Sequence, residues 1–263
     1  MAMSVLDGPR EETRRILHEG RAVWVTVEGD ALVLGDGRRV RTESATHLAP
    51  CEPTKIIAIH LNYPSRRVEF GVERGSSPTY FQKPTTALNA HGGAIPRPAN
   101  VKYLNYEGEL AVVIGRPARN VPVESALDYV GGYTVINDVS ARDLQGTEPQ
   151  WIRGKALDTF APLGPVLLDA AAAPPVAEMR LRTLVNGEVR QDASCAQMIT
   201  GVPELIAYIS DGITLEPGDI IATGTPSGVA MGMNPPKYLQ PGDEVSIEIT
   251  AIGELVNTVA AAH

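Results

Sequence analysis

From residue 100 onward the chain is a succession of short apolar segments, each closed by turn residues: ELAVVIG, GYTVINDVS, GPVLLD, MRLRTLVNGEVR, DIIATGT and EVSIEIT. Runs of this length, rich in Val, Ile and Thr, are too short for ordinary helices and read as strands. Asn186-Gly187, between two such runs, predicts a tight hairpin, because both residues tolerate the positive φ that a two-residue turn requires. Helical patterns are confined to residues 9–19, 123–129 and 202–212, the last with Val202, Leu205, Ile206 and Ile209 on one face. The predicted class is mostly β (α+β), with few helices.

Ahead of these strands, WVTVEGDALVLGDGRRVR alternates apolar and polar residues around the turns EGD and GDG and predicts a small β-meander. Residues 1–53 therefore read as a small N-terminal β appendage, and residues 54–263 as the main domain. KIIAIHLNY predicts a buried strand. SRRVEFGVERGSSPTY lacks clean periodicity and reads as a mobile loop or lid. DAAAAPPVAE, at 169–178, is a low-complexity connection within the domain.

Hydrophobic residues make up 43% of the 263, enough for a substantial core without disulfide staples. Cys51 and Cys195 match no zinc or redox spacing and read as buried or free thiols. The opening segment has no apolar stretch of signal-peptide length, and nowhere do about 18 apolar residues follow one another, so a soluble cytoplasmic protein is expected. A net charge of -8 argues against nucleic acid as the main partner. An anionic ligand would then need a locally basic site.

Two segments carry candidate chemistry. In Asn105-Tyr106-Glu107-Gly108-Glu109, strand periodicity places Glu107 and Glu109 on one face, with Gly108 removing bulk from the other. Like charges held this close call for a compensating cation, and hard oxygen donors suit Mg²⁺, Mn²⁺ or Ca²⁺. A solvated strand start would look the same, so the pair alone leaves both readings open. GGYTVINDVSARD ends its alternation at Asp138, which is either a third ligand or a turn residue bonding nearby amides. Lys83 in YFQKPTT, Lys155 in WIRGKALDTFAPLGP and Arg142 supply complementary charge, and each taken singly also fits a surface ion pair. GDIIATGTPSGVAMG matches neither the Walker nor the dinucleotide pattern; its Thr-Gly-Thr-Pro is an anion-binding nest or a plain turn. His60 and His91 are the histidines placed to reach a site, and no Gly-x-Ser-x-Gly elbow supports a serine hydrolase.

Taken together, KIIAIHLNY, YFQKPTT, NYEGELAVVIG, YVGGYTVINDVSARDLQ, GKALDTFAPLGP, LVNGEVRQ, LEPGDIIATGTPSGV and LQPGDEVSIEI resemble the fumarylacetoacetate hydrolase superfamily over roughly residues 54–258. The nearest likeness is to the 2-hydroxyhepta-2,4-diene-1,7-dioate isomerase and 5-oxopent-3-ene-1,2,5-tricarboxylate decarboxylase type of aromatic-acid catabolism. The resemblance implies a mixed β-sandwich roll, usually a homodimer, with Mg²⁺ (or Mn²⁺) held at Glu107, Glu109 and Asp138. It also implies substrate contacts at Lys83, Arg142, Gln145, Lys155 and Thr225.

One departure bears on the reaction. Hydrolytic relatives carry a lid His, with a Glu three residues later, to activate water; here NYPSRRVEF puts Arg66 in the histidine position and keeps Glu69. Arg66 suits a second substrate carboxylate, so the expected substrate is a 2-oxo (2-hydroxydienoic) di- or tricarboxylic acid. The expected reaction is isomerisation or decarboxylation through a metal-stabilised enolate, with Glu69, Lys155 and Lys83 as catalytic groups. The rivals are an acylpyruvate or fumarylpyruvate hydrolase, an oxaloacetate decarboxylase, and a catalytically silent binding protein on the same scaffold.

Overall fold

The computed structural model describes residues 12–72, 77–147 and 149–262. The chain enters through β1 (Glu12–His18), β2 (Arg21–Glu28), β3 (Ala31–Leu34) and β4 (Arg39–Arg41), followed by β5 (Thr46–Leu48). β6 (Ile56–His60) leads into helix α1 (Pro64–Phe70), and β7 (Thr79–Lys83), β8 (Leu88–Ala90) and β9 (Ala94–Arg97) follow. Then come β10 (Leu104–Asn105), β11 (Gly108–Ile114), β12 (Val130–Asn137), β13 (Ser140–Ala141) and the short helices α2 (Arg142–Gln145) and α3 (Ile152–Lys155). β14 (Ala161–Leu163), β15 (Val166–Asp169), β16 (Arg180–Val185), β17 (Glu188–Ser194), α4 (Val202–Ser210), β18 (Ile220–Ala222), β19 (Glu244–Ile249) and β20 (Gly253–Ala261) complete the chain.

These strands form a mostly β, mixed roll. A large sheet runs β4-β3-β2-β1-β15-β12-β11-β18-β6-β7, and a five-stranded sheet runs β17-β16-β19-β20-β9. The β18–β6, β14–β8 and β20–β9 pairs are parallel and the other pairs antiparallel. β11 is buried on both faces: Leu110, Val112 and Ile114 join the main core, while Ala111 and Val113 join a second cluster with Ile56, Ala58 and Ile136. Two-sided burial explains the unbroken apolar run LAVVI. At the β16–β17 turn, Asn186 and Gly187 take φ of 51° and 77°, the hairpin expected of that dipeptide.

Three local expectations are corrected. Residues 12–18, inside the helix expected over 9–19, form β1; residues 9–11 lie outside the described residues. β1 is captured between β2 and β15, which also buries Thr13 and Ile16, and this pairing overrides the local helical pattern. The segment read as a loop or lid begins with α1, which has Pro64 in its first turn and ends on Gly71 at φ 63°. Its continuation through residues 73–76 lies outside the described residues. Residues 123–129 are helical, but of the tighter 3₁₀ kind.

The N-terminal strands extend the large sheet through the β1–β15 pair. Cys51 and Cys195 are free and buried, and burial pushes their thiols up to about 12 and about 11. Among the described residues no helix is long and apolar enough to cross a membrane.

Candidate metal centre and its basic shell

The β11–β12 register builds an acidic cluster. Gly108 faces Asn137 and Glu109 faces Ile136, so Asp138, just past the end of β12, comes level with Glu107. The Asp138 N–H donates to the Glu107 carbonyl at 2.8 Å, and the Glu107 N–H donates to Asn137 Oδ1 at 3.0 Å. Carboxylate oxygens of Glu107, Glu109 and Asp138 lie within 4.8 Å of one another, and all three residues are buried. Gly108 is required by the facing sheet: a Cβ there would stand 2.3 Å from Thr183 Oγ1.

Four cations close on this cluster from four separate elements. Lys83, at the end of β7, donates to Asp138 Oδ1 at 2.5 Å and to the Val139 carbonyl at 3.2 Å. Lys155, at the end of α3, bridges Glu107 Oε2 at 2.6 Å and Asp138 Oδ2 at 2.5 Å. Arg142, opening α2, pairs with Glu107 Oε1 and donates to Gln145 Oε1 at 2.8 Å. Arg66, on the buried side of α1, reaches Glu107 Oε1 at 3.2 Å and pairs with Glu69.

The electrostatics separate the two glutamates. Burial works to raise Glu107, but the Arg142, Lys155 and Arg66 charges outweigh it and hold this carboxyl well below the usual range. Burial, reinforced by the charges of Asp138 and Glu107, pushes Glu109 well above its ordinary value, against Lys155 and the Gly224 N–H. Burial also lowers Lys83, partly countered by Asp138. Three cations therefore converge on Glu107, while Glu109 is crowded by like charge.

The Thr-Gly-Thr turn serves the cluster directly. The Gly224 N–H donates to Glu109 Oε2 at 2.8 Å, and Thr225 Oγ1 donates to the Gly108 carbonyl at 2.9 Å. A cavity of about 20 Å³ is lined by the three acids together with Arg66, Arg142, Gln145, Lys155 and Thr225. Lys83 buttresses Asp138 from behind. Glu69 is held instead by Arg66 and by the Gly228 N–H at 2.9 Å, and is not among the residues lining the cavity. His60 does line it, whereas His91 packs edge-on against His47 and accepts the Val256 N–H at 3.1 Å.

Sequence reasoning missed the residues that hold this arrangement. Gln191 accepts the Gly108 N–H at 3.0 Å and donates to Thr225 Oγ1 at 2.7 Å, tying β11 to the Thr-Gly-Thr turn. Asn62 donates to the Thr200 and Thr223 carbonyls, each at 2.9 Å. Single amides among ordinary residues give no local pattern of their own, although Asn62 in KIIAIHLNY and Gln191 in LVNGEVRQ both lay within segments already singled out.

The donor chemistry fits a divalent cation: three hard carboxylate oxygens converge, and burial, reinforced by the charges of Asp138 and Glu107, destabilises Glu109 as an anion, which a cation at this point would relieve. A mixed β-roll with a buried carboxylate triad inside a ring of Lys and Arg defines a class of enzyme fold. The chain belongs to the fumarylacetoacetate hydrolase superfamily: residues 55–260 match the fumarylacetoacetate (FAA) hydrolase C-terminal family.

Its relatives share most of its length. Oxaloacetate tautomerase of Bacillus subtilis is 43% identical over 242 residues, covering 90% of this chain and 80% of that protein. The fumarylacetoacetate hydrolase of Exiguobacterium antarcticum superposes with a TM-score of 0.87 at 36% identity, covering 95% of this chain and 99% of the other. The 5-carboxymethyl-2-hydroxymuconate delta-isomerase of Mycobacterium smegmatis gives 0.85 at 37% identity, covering 96% and 99%.

Proposed function

We propose that this protein is a divalent-metal-dependent isomerase that interconverts the keto and enol forms of a small 2-oxo dicarboxylate, with oxaloacetate the first substrate to test. The observation that carries the proposal is Arg66. It occupies the lid position, is buried, pairs with Glu69 and points at Glu107 beside Arg142. A guanidinium there cannot activate water as a histidine does, but it can receive a carboxylate. The 43% identity to an oxaloacetate tautomerase supports the same choice.

Charge counting agrees. Glu69, Glu107, Glu109 and Asp138 are balanced by Lys83, Lys155, Arg66 and Arg142, so a divalent ion at the triad leaves two positive charges over. A dianionic substrate neutralises that surplus. Glu107, Glu109 and Asp138 would hold Mg²⁺ or Mn²⁺, which when bound supplies Lewis-acid polarisation of the 2-oxo group. Arg66 and Arg142 orient the two carboxylates, with Gln145 and Thr225 completing the wall. Lys155, which lines the cavity, gives its ammonium proton to the carbon next to the carbonyl as the enol hydroxyl releases its own proton to solvent, and takes it back in the reverse direction. Lys83 fixes Asp138, and Glu69 fixes the lid. A homodimer belongs to the same proposal, and sedimentation tests it.

The deciding experiment follows the ultraviolet enol band of oxaloacetate with Mg²⁺ or Mn²⁺ present, while CO₂ release is measured in parallel. Acceleration that a chelator abolishes, without CO₂, is the expected result. Absence of acceleration with either ion overturns the proposal, and stoichiometric CO₂ replaces it with a decarboxylase.

A further inference from the structure

The cavity at the acids, about 20 Å³, has room for an ion or a water but not for the body of an organic acid. Beside it lies a chamber of about 400 Å³, within the range of small-molecule sites. The two share His60 and Phe81. Strand geometry explains why: β6 and β7 pair His60 with Thr79, Ala58 with Phe81 and Ile56 with Lys83, so Lys83, Phe81 and Thr79 follow one another along one face of β7. That face runs from the lysine holding Asp138 outward to the chamber.

The partition between the two spaces is aromatic. The Phe81 ring centroid lies 5.0 Å from Lys155 Nζ and 5.4 Å from the Trp151 ring. Trp151 stands edge-on to His60 at 4.4 Å, His60 to Phe70 at 6.5 Å, and the Arg66 guanidinium covers Phe70 at 4.1 Å. Aromatic rings thus connect Arg66 on the lid to Lys155 at the acids. Tyr80, Gln82 and Ile152 add to the chamber wall, and none of its described lining residues is Asp, Glu, Lys or Arg.

We propose that this chamber is a second subsite of the same active centre, taking an uncharged aryl group carried by a 2-oxo acid whose head sits at the acids. The inference rests on the 2-oxo acid assignment above and extends its substrate range. Charged groups of the ligand stay with Arg66 and Arg142, because the described lining of the chamber carries no counter-charge. Trp151 and Phe81 are the specificity-determining residues, stacking on the flat group.

The test compares phenylpyruvate with pyruvate, which has the same head and no ring, by calorimetric titration of the full chain in Mn²⁺. Phenylpyruvate is expected to bind at least about tenfold tighter, about 1.4 kcal/mol. Trp151→Ala should reduce that ratio to about twofold while leaving pyruvate affinity unchanged, and Phe81→Leu, whose ring also borders the acids, should reduce the ratio whatever its effect on pyruvate. Equal binding of the two acids to the unaltered protein, or a ratio untouched by both substitutions, overturns the subsite. So does an equal loss of both ligands in both variants, which would mark the rings as structural. The ratio remains measurable in a protein that fails to tautomerise oxaloacetate, so the two proposals fail separately.

Discussion

Gly232 tests whether Glu69 latches the lid. A Cβ at this position would lie 1.8 Å from Glu69 Oε1 and 2.1 Å from its carboxyl carbon. The residue closes a 3₁₀ turn, Ala230–Gly232, at a conformation open to alanine, so the substitution strains no backbone of its own. The carboxylate can swing aside, but in doing so it gives up the Gly228 N–H at 2.9 Å. Its pair with Arg66 lies within α1, so the Gly228 bond, together with the Ser227 N–H donated to Ser65 Oγ at 3.3 Å, joins the formed helix to the loop. A hydrogen bond to a charged group contributes about 1.5–3 kcal/mol. Losing about 2 kcal/mol shifts the closed-to-open ratio of α1 by roughly 30-fold. Hydrogen exchange of the α1 amides, Arg66 and Arg67 among them, reads this directly, since both bond to the Tyr63 carbonyl only while the helix is formed. Gly232→Ala is expected to speed their exchange by up to that factor and to raise KM more than it lowers kcat. Unchanged exchange across α1 would refute the latch. A kcat collapse in Glu69→Gln with unchanged exchange would instead restore Glu69 as the base.

Other perturbations separate the parts of the site. Glu107→Gln removes a triad donor and leaves Arg66, Arg142 and Lys155 facing a neutral amide, so Mn²⁺ affinity should fall at least about 100-fold by calorimetry; retained affinity would remove Glu107 from the ligand set. Lys83→Met strips a buried ammonium from Asp138 and should cost about 3 kcal/mol in urea unfolding, whereas a loss under about 1 kcal/mol would mean that Lys155 alone suffices. His47 provides a pH test. Burial, then the charges of His91 and Arg14, lower it from 6.5 to about 4. The unfolded chain therefore binds the extra proton first. The stability from this group is complete above about pH 6.5 and is lost as pH falls from there to about 4, at most about 3 kcal/mol. His47→Gln should flatten that slope relative to the unaltered protein, and parallel urea curves across the window would exclude His47 as its source.

The strands and the hairpin were legible because their causes are local: apolar runs of strand length, and Asn186-Gly187 with its tolerance of positive φ. β1 was misread because its partner β15 lies some 150 residues away, and no window along the chain contains both. The same distinction divides the site. Glu107 and Glu109 share a face by strand periodicity, which a sequence displays, but Asp138 joins them through the β11–β12 register, which it does not. The family likeness supplied that register in advance. It could not supply the consequences of the departure at residue 66. Arg66 is buried against Phe70, and Glu69 turns toward Gly228 rather than into the cavity, because the two side chains, one helical turn apart, form their own ion pair. A histidine lacks the reach to pair with Glu69 and Glu107 at once. In this chain Arg66 and Glu69 therefore hold each other beside the neighbouring loop, and Lys155 is the lysine lining the cavity beside the acids.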